Sequence, residues 1–170
     1  MSLTQPTGRR QTLTAALLAA AMAGVVGSAL IIEHGFGYIP CKLCLEQRVP
    51  YYVGIPLMLV AAVAASMRLP GIVARGLLLA GALLMAWGLY MGVFHSGVEW
   101  GWWPGPTDCG AVAGPTGTGG NGVLDAINTV IPPSCDEAAL RILGLSLAGW
   151  NALASLALGA VALRGAFARA

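Results

Sequence analysis

The chain has 170 residues, 57% of them hydrophobic and only 9% charged, against about 25% charged in an ordinary soluble domain. Its mean hydropathy is +0.76 and its apolar residues lie in long uncharged runs, which excludes both a water-soluble globule and a disordered chain. The net charge of +2 carries no footprint of a nucleic-acid partner, and the length allows one domain.

Taken in chain order, four stretches dominate: 11–32, 49–67, 76–94 and 142–163, none containing Asp, Glu, Lys or Arg. A hydrocarbon core about 30 Å thick is crossed by roughly 20 helical residues. Backbone groups find no water in lipid, so each stretch is expected to be an α-helix. The first is apolar all round, with only Thr14 and Ser28 interrupting Leu13–Ile32, so it lacks the polar face of a soluble bundle helix. Arg9-Arg10 and Ala21-Met22-Ala23 also fit a cleaved signal peptide, but the apolar run continues well beyond that site.

In the second stretch Pro50 sits where a first-turn proline is tolerated, and Pro56 is expected to kink or loosen the helix. Ala20, Gly24 and Ser28 in the first stretch, and Gly88 and Gly92 in the third, recur every four residues and predict close helix contacts. In the fourth, Asn151 should bond across helices. The fold expected is an all-α membrane protein: one integral domain over 1–170, a four-transmembrane-helix bundle in the lipid bilayer.

Charge sets the orientation. Arg9 and Arg10, the 68–75 loop with Arg68 and Arg75, and Arg164 and Arg169 have no acid among them, so these segments belong in the cytoplasm. The loops 33–48 and 95–141 hold Lys42, Arg48, Arg141 and all seven acids. They face outward, into the periplasm for a bacterial inner membrane, with both termini cytoplasmic.

All four cysteines fall in these outward loops: Cys41 and Cys44 in the first, Cys109 and Cys135 in the second. An oxidising compartment makes two disulfides the first expectation. Cys41-Lys42-Leu43-Cys44 closes too small a loop to be a good staple. Its value is reactivity, since Cys44 lies just ahead of a helix N-terminus with Arg48 four residues on. Zinc is disfavoured, because tetrahedral sites normally use two short-spaced pairs. Cys109 is preceded by a Trp-, Pro- and Gly-rich stretch and followed by a Gly-rich run. Residues 123–131 have the apolar spacing of a short interfacial helix. A Cys109–Cys135 disulfide on a flexible arm, or a plain staple of a long loop, both fit.

Other residues carry two readings. His95, near Glu99, either relays protons at the outer membrane boundary or is an interfacial histidine bonded to Glu99 or backbone. Glu33 and His34 read as ordinary loop residues. Trp100, Trp102 and Trp103 with Tyr51 and Tyr52 fit an aromatic belt.

The segment Pro40-Cys41-Lys42-Leu43-Cys44-Leu45-Glu46-Gln47-Arg48-Val49-Pro50-Tyr51-Tyr52 resembles the first-loop signature of the DsbB family, quinone-dependent membrane thiol oxidases that recharge a soluble disulfide donor. Four helices and a cysteine pair in each outward loop extend the resemblance over nearly the whole chain. It implies that Cys41 and Cys44 are coupled to a membrane quinone, ubiquinone or menaquinone, with Arg48 beside the ring. It also implies that Cys109 and Cys135 are attacked by a reduced periplasmic DsbA-like partner of thioredoxin fold. On that view His95 is a further residue at the quinone. The chain departs from the family pattern at Gly101–Pro106 and in the run 114–122, which leaves the partner's identity open.

Two rivals remain at this point. A vitamin-K-epoxide-reductase-like thiol oxidase would carry its CxxC within a later helix, whereas here it precedes the second. A membrane scaffold with two structural disulfides would hold cysteines that never turn over.

Overall fold

The computed structural model describes residues 7–106 and 134–168. Helix α1 runs from Arg9 to Phe36. At its start the Gly8 N–H bonds the Gln11 side chain at 3.0 Å. It ends at Gly37, whose φ of 72° is a left-handed stop that glycine adopts without steric cost. Gln11, Ala15, Leu18, Met22 and Val26 are buried, a spacing of three to four residues that gives α1 one packed face. The helix outlasts the apolar run by a turn, so Glu33 and His34 lie in α1 rather than in a loop as expected.

A short helix α2, Lys42–Glu46, leads into α3, Val49–Ser66, which has Pro50 in its first turn and continues through Pro56. Helix α4, Gly71–Glu99, is longer than its uncharged stretch at both ends. Arg75, read above as a loop residue, therefore sits in α4, and so do His95 and Glu99.

The expected fourth stretch is corrected at its start. Residues Arg141–Ile142 (β1) and Leu145–Ser146 (β2) pair antiparallel, and Leu143 and Gly144 both take positive φ, 53° and 81°. That is the backbone of a two-residue hairpin turn. Helix α5 then spans Leu147–Phe167, with the Ser146 side chain accepting from the Gly149 N–H as its cap. Hydropathy alone cannot separate an apolar hairpin from the first turn of an apolar helix. The possible interfacial helix at 123–131 lies outside the described residues.

Helix α1 packs on α3 and α5, and α4 packs on the same two, so the bundle order is α1–α3–α4–α5 with α1 and α4 diagonal. Methionines fill the interior where glycines make room. A Cβ at Gly54 would come within 2.8 Å of Met22 Sδ, and one at Gly81 within 2.5 Å of Met58 Cε. The close approach expected at Gly88 and Gly92 is present: an added Cβ would lie 2.8 Å from Ser155 Oγ and 2.8 Å from the Ala152 backbone nitrogen respectively. The same expectation for Ala20, Gly24 and Ser28 is corrected. Nothing lies within 4 Å of a Cβ at Gly24, because α1 meets its neighbours through the Ala15–Met22 face.

Leu17, Val60, Leu83 and Leu156 are each more than half exposed, a covering that suits lipid. All four long helices meet the length and hydropathy of a membrane span. At the end of the bundle remote from Cys41, Arg75 is 2% exposed. It donates to the Ala166 and Ala168 carbonyls at 2.8 and 3.0 Å, capping the C-terminus of α5.

Candidate thiol redox site

The break between α2 and α3 builds the site. Cys41 is the N-cap of α2, and its sulfur accepts the Cys44 N–H at 3.3 Å. The helix-terminal donor assigned above to Cys44 thus falls on Cys41, because the short α2 intervenes before the second span. Both are thiols, with their sulfurs 2.6 Å apart. A disulfide, about 2.05 Å long, closes with little movement.

Cys41, Leu43, Val98 and Cys135 form a small buried cluster of their own, flanked by Cys44, Met91, Phe94 and Trp103. The Trp103 indole N–H bonds the Phe94 carbonyl at 2.9 Å, and its ring lies where a side chain on Gly97 would stand. Trp103 is therefore a lid on the sulfur cluster, while Trp100 and Trp102 are exposed as the belt reading requires. Cys135 is disulfide-bonded; Cys109 lies outside the described residues.

His95 is 3% exposed. Its Nε2 lies 3.7 Å from Cys41 Sγ and 3.8 Å from Glu99 Oε1. The ligating atoms of Cys41, His95 and Cys135 all lie within 4.8 Å of one another. They have the chemistry of a soft-metal site, but a sulfur held in a disulfide supplies no thiolate. Glu99 Oε2 is buried with no hydrogen-bond partner among the described residues.

The Cys41 thiol is lowered from the ordinary 9.0 to about 5. The hydrogen bond from the Cys44 thiol is the largest cause; burial opposes it, and the contact with His95 reinforces it. Arg48 donates to Glu33, and its charge also acts on Cys44.

A cavity of about 310 Å³ opens beside these groups, at the lower end of the roughly 300–1,000 Å³ of small-ligand sites. Val25, Val26, Ala29 and Ile32 of α1 face Leu147, Ala148 and Ala154 of α5 across it. Cys41, Cys44, Arg48, His95 and Glu99 also line it. The apolar walls fit a lipid-soluble ring and tail; the sulfurs and guanidinium fit a redox-active head carrying carbonyl oxygens.

The sequence reading missed several residues here. Glu33 is the partner of Arg48, and Tyr51 is not in the aromatic belt but 1% exposed. Its hydroxyl bonds Asn151 Oδ1 at 2.6 Å and Ser155 Oγ at 2.8 Å. Asn151 in turn donates to Gln47 Oε1 at 2.7 Å, the bond across helices expected of it. Gln47 and Tyr51, and Asn151 and Ser155, are each four apart. That one-face spacing of polar residues in lipid is the signal that would have found them.

A four-helix membrane bundle with a buried dithiol, a disulfide within reach of it and an apolar cavity alongside defines a membrane thiol–disulfide protein. The family model for disulfide bond formation protein DsbB matches residues 10–164, and the chain belongs to that family: it is a membrane oxidoreductase that forms disulfide bonds. No curated protein and no solved structure is matched. The family assignment removes the vitamin-K-epoxide-reductase-like reading.

Proposed function

We propose that the protein reoxidises a DsbA-type periplasmic donor of thioredoxin fold and passes the electrons to membrane quinone. The observation that carries this is the placement of Cys41, Cys44 and Arg48 on the wall of an apolar cavity, with the disulfide-bonded Cys135 against Cys41.

A thiolate of the reduced donor attacks the Cys109–Cys135 disulfide, and the donor's second thiol resolves the mixed disulfide, leaving the donor oxidised and Cys109 and Cys135 as thiols. Cys135, as thiolate, then attacks Cys41 of an oxidised Cys41–Cys44 pair. The new bond joins Cys135 to Cys41 and the electron pair leaves on Cys44, beside the Arg48 charge. Attack of Cys109 on Cys135 restores the Cys109–Cys135 bond and leaves Cys41 and Cys44 carrying the two electrons.

A quinone bound in the cavity would supply the two-electron, two-proton sink. Arg48 would hold a quinone oxygen beside Cys44; the thiolate expected at Cys44 sits instead on Cys41, to which the Cys44 thiol donates, and His95 forms the sulfur-side wall. The Arg-rich segments at the opposite end support a bacterial inner-membrane location with both termini in the cytoplasm.

The test is turnover of purified protein in detergent with a reduced thioredoxin-fold donor, with and without a short-tailed quinone. Oxidation should require quinone and vanish in Cys44→Ser and Cys109→Ser. Quinone-independent or cysteine-independent oxidation would point to another activity. Cysteines that stay bridged and never turn over would make the protein a scaffold with structural disulfides.

A further inference from the structure

One hydrogen-bonded row crosses the bundle from Ser155 to Cys41, and its direction is fixed at a single point. The Asn151 amide nitrogen lies 3.4 Å from the Gly88 carbonyl oxygen, which only accepts. That end of the Asn151 amide is therefore its NH2, and the other end is the oxygen that takes the Tyr51 hydroxyl proton. The same NH2 donates to Gln47 Oε1, which turns the Gln47 NH2 toward His95 Nδ1 at 2.5 Å. A carboxamide NH2 cannot accept a hydrogen bond. His95 Nδ1 must accept, so the neutral ring carries its proton on Nε2, the atom facing Cys41 Sγ at 3.7 Å.

We propose that Asn151 and Gln47 are positioning residues that lock His95 in the Nε2–H tautomer and so aim a ring N–H at the Cys41 sulfur. This rests on the reading of Cys41 and Cys44 as the redox pair. Each time a disulfide at Cys41 is cleaved with the electron pair staying on Cys41, an N–H is already in place to take the charge, with no proton transferred. The opposite tautomer would set a ring lone pair against a thiolate. Gln47 and His95 are 5% and 3% exposed, so bulk solvent competes little with the bond between them. The polarity is set at the Gly88 carbonyl, and the His95 tautomer follows from it.

The chain has two histidines, so imidazole 15N shifts of the reduced full-length protein in detergent read the tautomer directly, with His34→Gln assigning the signals. His95 should be protonated at Nε2 and bare at Nδ1. Asn151→Leu leaves Gln47 free to turn over, and Gln47→Met removes the donor to Nδ1. Both should convert His95 to a mixture of tautomers and raise the Cys41 alkylation midpoint by about one pH unit, roughly tenfold less thiolate below it. The titratable groups around Cys41 are Cys44 of α2, His95 and Glu99 of α4, and Cys135, whose sulfur lies within 4.8 Å of the Cys41 and His95 atoms and is a thiol once its disulfide is reduced, with Arg48 acting on Cys44. Alkylation is therefore read on the Cys41 peptide alone. A proton on Nδ1 in the unsubstituted protein overturns the proposal, and so does a folded Gln47→Met protein with unchanged tautomer and midpoint. Neither readout uses quinone or donor, so failure of the electron-transfer reading would show separately, as absent turnover with the tautomer intact.

Discussion

Arg48 at the head of α3 donates from Nη1 to a carboxylate oxygen of Glu33 in the last turn of α1. The pair ties the cavity-lining Arg48 to a helix with which it shares no local sequence. Its side chains are 12% and 25% exposed, so water screens it only in part. Because Arg48 also acts on Cys44, Glu33 settles where that charge sits.

Arg48→Gln should therefore raise the quinone KM at least tenfold, about 1.4 kcal/mol of binding. Glu33→Gln should move it in the same direction but less, since the charge survives and only its aim is lost. Steady-state kinetics with a soluble quinone checks both. An Arg48→Gln protein with unchanged quinone dependence would remove Arg48 from the site.

The Cys41 thiol, held near 5 rather than 9.0, stays a thiolate as pH falls until about that value. Iodoacetamide labelling of the Cys41 peptide in the reduced protein should be nearly flat from pH 8 to about 6, then fall through about 5. The shift also stabilises the reduced fold fully above the ordinary thiol value, and that contribution is lost as pH drops to about 5. A midpoint in the ordinary thiol range would contradict the site geometry.

Arg75 is buried on the two last carbonyls of α5. Arg75→Ala leaves the Ala166 carbonyl without this donor, while Ala168 keeps the Gln11 side chain at 2.9 Å. Stability should fall by about 2–4 kcal/mol, seen as a lower Tm in detergent, with the Cys41 alkylation profile unchanged. An unaltered Tm would show that the cap contributes nothing.

Gly92→Val should cost about 1–3 kcal/mol, because its side chain would meet the Ala152 backbone. Gly24→Ala should be neutral or slightly stabilising, since it meets nothing and alanine favours the helix. Thermal unfolding of the two variants side by side tests whether α4–α5 is the tight helix contact.

Hydropathy and charge determined by themselves that four helices cross a membrane, and the Cys41–Arg48 motif determined the family, because both are properties of short contiguous segments. Lipid allows a long uncharged run few alternatives to a helix. What only the tertiary structure decided is which polar residues meet. Glu33 finds Arg48, and Asn151 reaches Gln47 across 104 positions; Tyr51 turns inward, and the first turn expected of the fourth span becomes a hairpin. Each depends on the rotation of one helix about its axis against another. In an evenly apolar helix such as α1 or α5, the sequence pattern does not specify that rotation. It is set by where glycines let helices approach and where buried polar groups must find partners.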